Sequence, residues 1–232
     1  MIHDTVFYNW KIGGEAGYGI MNTGGPLFAK TLLRAGYYIF IYSEYPSLIR
    51  GGHNTMQVAV SDKEVSGVYS QIDQLVALNA HTIVMHQDEV KKGGVVVYDE
   101  DEIKLKTQSS KLKTTTQNSK LVDSSRIPNL SGSHTVKKAK QETILRQDIK
   151  FIPINFTKIA EDIGGNKIMK NVAAVGASLR ITNYDLPAGE AGLRITNLLD
   201  IAKEVIAGVF KSKGQTIIKA NQMVLEAGYA AV

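Results

Sequence analysis

The chain has 232 residues, 44% of them hydrophobic and 21% charged, close to the averages of soluble globular proteins, so wholesale disorder is excluded. It holds no cysteine, which excludes disulfides, cysteine nucleophiles and any iron–sulfur cluster ligated by thiolates of this chain. The formal charge of +5 raises nucleic acid or a membrane surface as partners, but residues 101–150 carry 11 basic and 5 acidic side chains, a net +6, against 16 and 17, a net −1, elsewhere.

The N-terminus lacks the apolar stretch of a signal peptide, and Asp4 comes early. Val6, Tyr8, Trp10 and Ile12 alternate with Phe7, Asn9 and Lys11, which predicts a first strand. It runs into Gly13-Gly14-Glu15-Ala16-Gly17-Tyr18-Gly19. Leu27, Phe28, Thr31, Leu32 and Ala35 then recur at helical spacing, and Gly36 suits the residue just past a helix end. Residues 37–42 (YYIFIY) have the composition of a buried second strand. They form the longest apolar run, far short of the ~20 residues that span a bilayer. A cytoplasmic location with no membrane partner is expected.

A loop over residues 43–52 follows. Residues 55–61 read as a third strand, with Met56, Val58 and Val60 on one face. Short strands are predicted over residues 74–78 and 94–98, with a helix over 81–91 between them. Residues 103–149 are rich in Lys, Thr, Ser and Gln and show no sustained period, which predicts a mobile basic insertion with a short hairpin or helix near 135–146. Another strand is expected at 151–155, and helices at about 167–179, 198–209 and 214–227. The pentapeptide LRITN occurs at 179–183 and again at 193–197, and reads as a local duplication. Strand–helix alternation with continuous apolar strands predicts an α/β fold with a largely parallel sheet. Both halves contribute strands, so one domain is expected over residues 1–232.

Two loops carry candidate chemistry. The glycine loop lies between a strand and a helix, where backbone N–H groups and the helix N-terminus favour an anion. Its spacing departs from the dinucleotide pattern G-x-G-x-x-G, because Asn22 stands where a glycine is required. The bland reading is a tight turn that lets helix and sheet pack closely. The second loop, Tyr45-Pro46-Ser47-Leu48-Ile49-Arg50-Gly51-Gly52-His53-Asn54, follows a strand, where α/β sheets place ligand- or partner-contacting groups. Arg50 suits a phosphate or carboxylate. The bland reading there is a surface loop whose aromatics pack locally.

Other constellations are weaker. His81 and His86 are five apart, off the spacing of a helical metal pair, and no metal site is expected. Asp99–Glu102 reads as a solvated loop start. No nucleophile elbow and no catalytic set are recognisable.

Read together, IGGEAGYGI and AGYYIFIYSEYPSLIRGGHNTMQV resemble the gamma subunit, or gamma domain, of 2-oxoacid:ferredoxin oxidoreductases, the pyruvate and 2-oxoglutarate enzymes. GGVVVYDEDEI, FIPINFTKIAEDIGGNKIMKNVAAVGA and FKSKGQTIIKANQMVLEAGYAAV agree, whereas 103–149 and the duplicated pentapeptide depart from the family. The resemblance implies a Rossmann-like three-layer domain without catalytic residues of its own. It implies alpha and beta partners that hold thiamine diphosphate and [4Fe-4S] clusters, with coenzyme A as co-substrate and ferredoxin as electron acceptor. By position, Gly13, Gly14, Gly17 and Gly19 would form the turn, and Tyr45, Ser47, Arg50, Gly51 and Gly52 the loop, of a cofactor-facing site. Rival readings are a stand-alone nucleotide-binding protein and a nucleic-acid module built on the basic segment. The latter lacks the interleaved aromatics that stack on bases.

Overall fold

A computed structural model describes residues 7–45, 52–103, 105–107, 120–122, 143–185 and 197–232. The elements are β1 (Phe7–Glu15), α1 (Gly25–Arg34), β2 (Tyr38–Glu44), β3 (His53–Ser61), β4 (Ile72–Ala77), α2 (Ala80–His86), β5 (Val90–Asp99), β6 (Leu105–Thr107), β7 (Lys120–Val122), β8 (Thr143–Ile144), β9 (Lys150–Ile154), α3 (Phe156–Gly164), α4 (Lys170–Asp185), α5 (Leu198–Val209) and α6 (Gln215–Ala230). Six strands form one sheet in the order β2-β3-β1-β4-β5-β9. β1, β4, β5 and β9 run parallel, and β3 pairs antiparallel with both β1 and β2. The expected α/β fold with a mostly parallel sheet is present, with helices on both faces.

The two faces are unequal. On one, Trp10 and Ile12 of β1, Val58 and Val60 of β3 and Val76 of β4 pack on α1, α3, α4, α5 and α6. Trp10 stacks on Phe28, ring centroids 4.1 Å apart, and its indole N–H donates to Ser178 Oγ at 3.1 Å. Residues 169–179 are all buried, as a helix must be when it lies between the sheet and a further helix. On the other face, Leu75, Val96 and Tyr98 pack on Ala80 and Ile83 of α2 and on Ile103, Leu145 and Ile149.

α1 ends as the sequence predicts. Gly36 has φ +92°, Tyr37 N–H donates to Leu32 O and Gly36 N–H to Leu33 O, both at 3.1 Å. This is the two-bond glycine cap of a helix C-terminus.

Three expectations need correction. The YYIFIY strand is not buried: β2 is an edge strand, and Tyr38, Ile41 and Tyr42 are each nearly half exposed. Residues 81–91 do not form one helix. α2 is seven residues long, a short turn Gln87–Glu89 follows, and β5 already begins at Val90. Finally, the segment 103–149 is ordered at its ends. Ile103, Leu145 and Ile149 are buried, and Arg146 forks onto Asp148 while donating to the carbonyls of Gln87 and Val90 at 3.0 and 2.7 Å. β6, β7 and β8 pair as a small antiparallel sheet. The expected mobility of the rest lies outside the described residues, as does the second LRITN copy apart from Asn197. The first copy is an uninterrupted part of α4.

Candidate functional site

The chain leaves β1 for β2 on one side and returns to β4 on the other, so β1 and β4 border the point where strand order reverses. In open α/β sheets ligands and partners gather at the C-terminal strand ends beside such a point. The glycine loop stands there. β1 continues to Glu15, so Gly13 and Gly14 belong to the strand and not to the turn, which corrects their assignment. Both are needed for close approach. A Cβ on Gly13 would stand 2.6 Å from Thr82 Cγ2 of α2, and one on Gly14 about 3.1 Å from Ile20 and Leu78. The turn proper holds Gly17 and Gly19, whose φ angles of +100° and +73° only glycine adopts at low cost. A π-helical turn, Ile20–Gly24, then leads into α1.

Nothing lies within 4 Å of a Cβ built on Gly17, whereas one on Gly19 would overlap the Asn171 side chain. Asn171, at the start of α4, donates from Nδ2 to Tyr18 O at 2.7 Å and to Ile168 O at 2.8 Å. Next to it, Lys170 Nζ sits 3.7 Å from the Tyr18 ring centroid, 3.2 Å from Glu102 and 3.9 Å from Asp99. The N-terminus of α4 thus props the turn from below. Asp99 is fully buried and accepts from the Thr157 hydroxyl at 2.6 Å and from its N–H at 3.3 Å, which caps α3 across the fold. Burial raises the Asp99 carboxyl, and Thr157 and Lys170 pull it back.

Carboxylates stand near the Tyr18 hydroxyl. Burial, then the charges of Glu102, Glu15 and Asp99, push the Tyr18 hydroxyl up to about 12. Two turn amides are also committed inward: Tyr18 N–H donates to Glu15 O at 3.1 Å, and Ala16 N–H to Gly52 O at 2.9 Å. These commitments oppose a phosphate cradle of the nucleotide-binding kind, which needs free amides.

The Ala16–Gly52 bond joins the two loops that the sequence singles out. Gly52 is buried beside β1, and Tyr45, just past β2, is 68% exposed. Ser47, Arg50 and Gly51 lie outside the described residues.

The sequence reading missed a polar cluster on the α2 side of the same strands. Lys11, buried on β1, bonds Glu89 at 2.5 Å; Glu89 bonds His86 Nδ1 at 2.6 Å; His86 Nε2 lies 2.8 Å from His53 Nε2 on β3. The His81 ring is 4.9 Å from that of His53. The signal available was Lys11 in an alternating apolar strand, on the face opposite Trp10 and Ile12. Among the described residues, no group of three or more His, Asp or Glu side chains has a geometry that would hold a metal ion. Among those residues, no helix is long and apolar enough to cross a membrane.

Comparison with known proteins adds the following. The profile of the family described as pyruvate ferredoxin/flavodoxin oxidoreductase matches residues 9–231. The alpha subunit of a 2-oxoacid:ferredoxin oxidoreductase from Sulfolobus sp is 28% identical over 189 residues, covering 77% of this chain and 28% of its own length. The chain therefore spans little more than a quarter of that relative. Among solved structures, a 2-oxoglutarate:ferredoxin oxidoreductase from Magnetococcus marinus, with 2-oxoglutarate, coenzyme A and succinyl-CoA bound, superposes with a TM-score of 0.65. Its identity is 20%, over 97% of this chain and 31% of that one. A pyruvate oxidoreductase subunit from Thermotoga maritima gives 0.63 at 18% identity, over 97% and 96% of the two chains. These likenesses show the fold.

Proposed function

Because the chain belongs to the pyruvate ferredoxin/flavodoxin oxidoreductase family, we propose that it is a single gamma-type domain of a 2-oxoacid:ferredoxin oxidoreductase. In that role it supports the CoA-dependent oxidative decarboxylation of a 2-oxoacid to acyl-CoA, carbon dioxide and reduced ferredoxin. Its partners are the alpha and beta parts of the same cytoplasmic enzyme. Thiamine diphosphate and the [4Fe-4S] clusters belong to those partners, since a chain without cysteine offers no thiolate to a cluster. When bound in the assembly, thiamine diphosphate supplies the carbanion chemistry and the clusters carry the electrons. This chain provides a rigid surface.

The observation that carries this reading is the family match over residues 9–231, and the Ala16–Gly52 bond adds that the glycine turn and the chain entering β3 meet at the C-terminal end of the sheet. The surface there faces the alpha/beta assembly and shapes the approach of coenzyme A. In this reading Arg50, whose guanidinium suits phosphates, is the residue that contacts those of the coenzyme.

Arg50→Ala in the assembled enzyme tests the ligand role. The KM for coenzyme A is expected to rise about tenfold or more, the loss of one charge-assisted contact, with kcat for the 2-oxoacid little changed. An unaltered KM with intact assembly overturns the ligand role. Loss of assembly makes the loop an interface element instead.

A further inference from the structure

The cluster on the α2 side of β1 and β3 forms a continuous chain, Lys11–Glu89–His86–His53, that the proposed function does not use. Its hydrogen positions follow from chemistry. Glu89 is held below the usual carboxylate range: burial opposes this, and the bonds from His86 and Lys11 outweigh it. An ionised carboxylate only accepts, so Nδ1 of His86 carries a proton. The 2.8 Å contact between the two Nε2 atoms then holds one proton, on either side. At the end of the chain, Nδ1 of His53 is buried and has no hydrogen-bond partner among the described residues.

If His86 is neutral, its Nε2 is a bare acceptor. His53 must donate from Nε2, and Nδ1 of His53 is a bare acceptor too. If His86 is an imidazolium, its Nε2 donates, His53 accepts there, and the proton of His53 stands on Nδ1. We propose that these four side chains form a proton relay in which uptake of one proton leaves His53 neutral and reverses its tautomer. The balance is one proton. It enters at Nδ1 of His53, the Nε2 proton of His53 passes along the 2.8 Å contact, and the charge comes to rest on His86 against Glu89.

The surroundings favour this distribution. Burial, the rings of His86 and His81 and the ammonium of Lys11 lower His53 to about 3, and only Glu89 opposes them. His81 is lowered by burial and by His86. From β1, Glu15 pairs in register with His53, and from β2, Glu44 contacts Thr55 at 3.4 Å. The charge therefore settles where a carboxylate is in direct contact, on His86. The relay ends beside the joined loops: His53 follows Gly52, and a Cβ on Gly13 would stand 3.3 Å from His53 Cε1. Nδ1 of His53, buried at this end of the relay, is an acceptor at high pH and a donor at low pH. The inference does not depend on the activity proposed above.

Long-range 1H–15N correlation spectra of the 15N-histidine-labelled chain test it, with His53, His81 and His86 assigned by His→Gln variants. As pH is lowered, His53 is expected to stay neutral while its protonated nitrogen changes from Nε2 to Nδ1, in step with uptake of the proton by the pair. In Glu89→Gln the midpoint of that change should fall by about one pH unit or more. A His53 that titrates to an imidazolium overturns the proposal. So does a fixed His53 tautomer while His86 titrates, or a His86 that keeps one charge state from pH 9 to 4.

Discussion

Gly176→Ala and Gly228→Ala are each expected to destabilise the fold by about 3 kcal/mol or more, the cost of overpacking where nothing can yield. α4 and α6 touch backbone to backbone at these two positions. A methyl group on Gly176 would overlap the Leu225 carbonyl, and one on Gly228 the Ala173 carbonyl. Flexible side chains could rotate away, but main-chain carbonyls inside two helices can move only with their helices. Separating α4 from α6 also tilts the helix whose first turn holds Tyr18 through Asn171 and Lys170. Urea midpoints measure the effect, and Gly208→Ala is the control. It lies in α5 with nothing within 4 Å of a Cβ, so alanine there should be neutral or stabilising by up to ~1 kcal/mol. Equal losses at all three positions would mean that helix separation is not the cause.

Lys170→Met is the second large effect. Lys170 and Asp99 are both buried, and removing one charge of a buried pair leaves the other uncompensated, typically ~3–5 kcal/mol. Two features place the loss near 3 kcal/mol. Thr157 still donates twice to Asp99, and Glu102 is partly exposed. The sign of the pH dependence follows from Asp99. Its carboxyl is already raised by burial, and loss of the lysine raises it further. A folded-state value above the unfolded one stabilises the folded state only where the group is protonated, and that stability is lost as pH rises through the folded value. The deficit of Lys170→Met relative to the parent is therefore expected to shrink as pH falls from 7 toward 4. Asp99→Asn combined with Lys170→Met should cost less than the sum of the single changes. A deficit that is constant with pH, or strictly additive changes, would show that the pair does not interact.

Much of the sheet was legible because period-2 and continuous apolar patterns identify strands wherever they lie. The alternation of Tyr8, Trp10 and Ile12 placed β1, and Gly36 marked the end of α1. The pattern does not say where in the sheet a strand stands. YYIFIY has the composition of an interior parallel strand, yet β2 ends at the edge because the chain returns from it antiparallel through β3. Gly13 and Gly14 looked like turn residues because glycine signals turns, but here it signals close approach of Thr82, Ile20 and Leu78 to a strand. The histidine cluster was illegible for a different reason. His53 comes from β3, Lys11 from β1, and His86 and Glu89 from α2 and the turn after it, and no local spacing joins these three places. The joining of the two loops was likewise a tertiary fact. Sequence order placed both after strands, and only the antiparallel pairing of β1 with β3 brings Gly52 to Ala16.

Co-expression with the alpha and beta parts of a 2-oxoacid:ferredoxin oxidoreductase, followed by a ferredoxin-reduction assay with 2-oxoacid and coenzyme A, tests the central claim most directly. The chain alone should reduce no ferredoxin, the partners without it should fall at least about tenfold below the full assembly, and adding the chain should restore the rate. Turnover by the chain alone, or an unchanged rate without it, would contradict the proposed role as a non-catalytic part of such an enzyme.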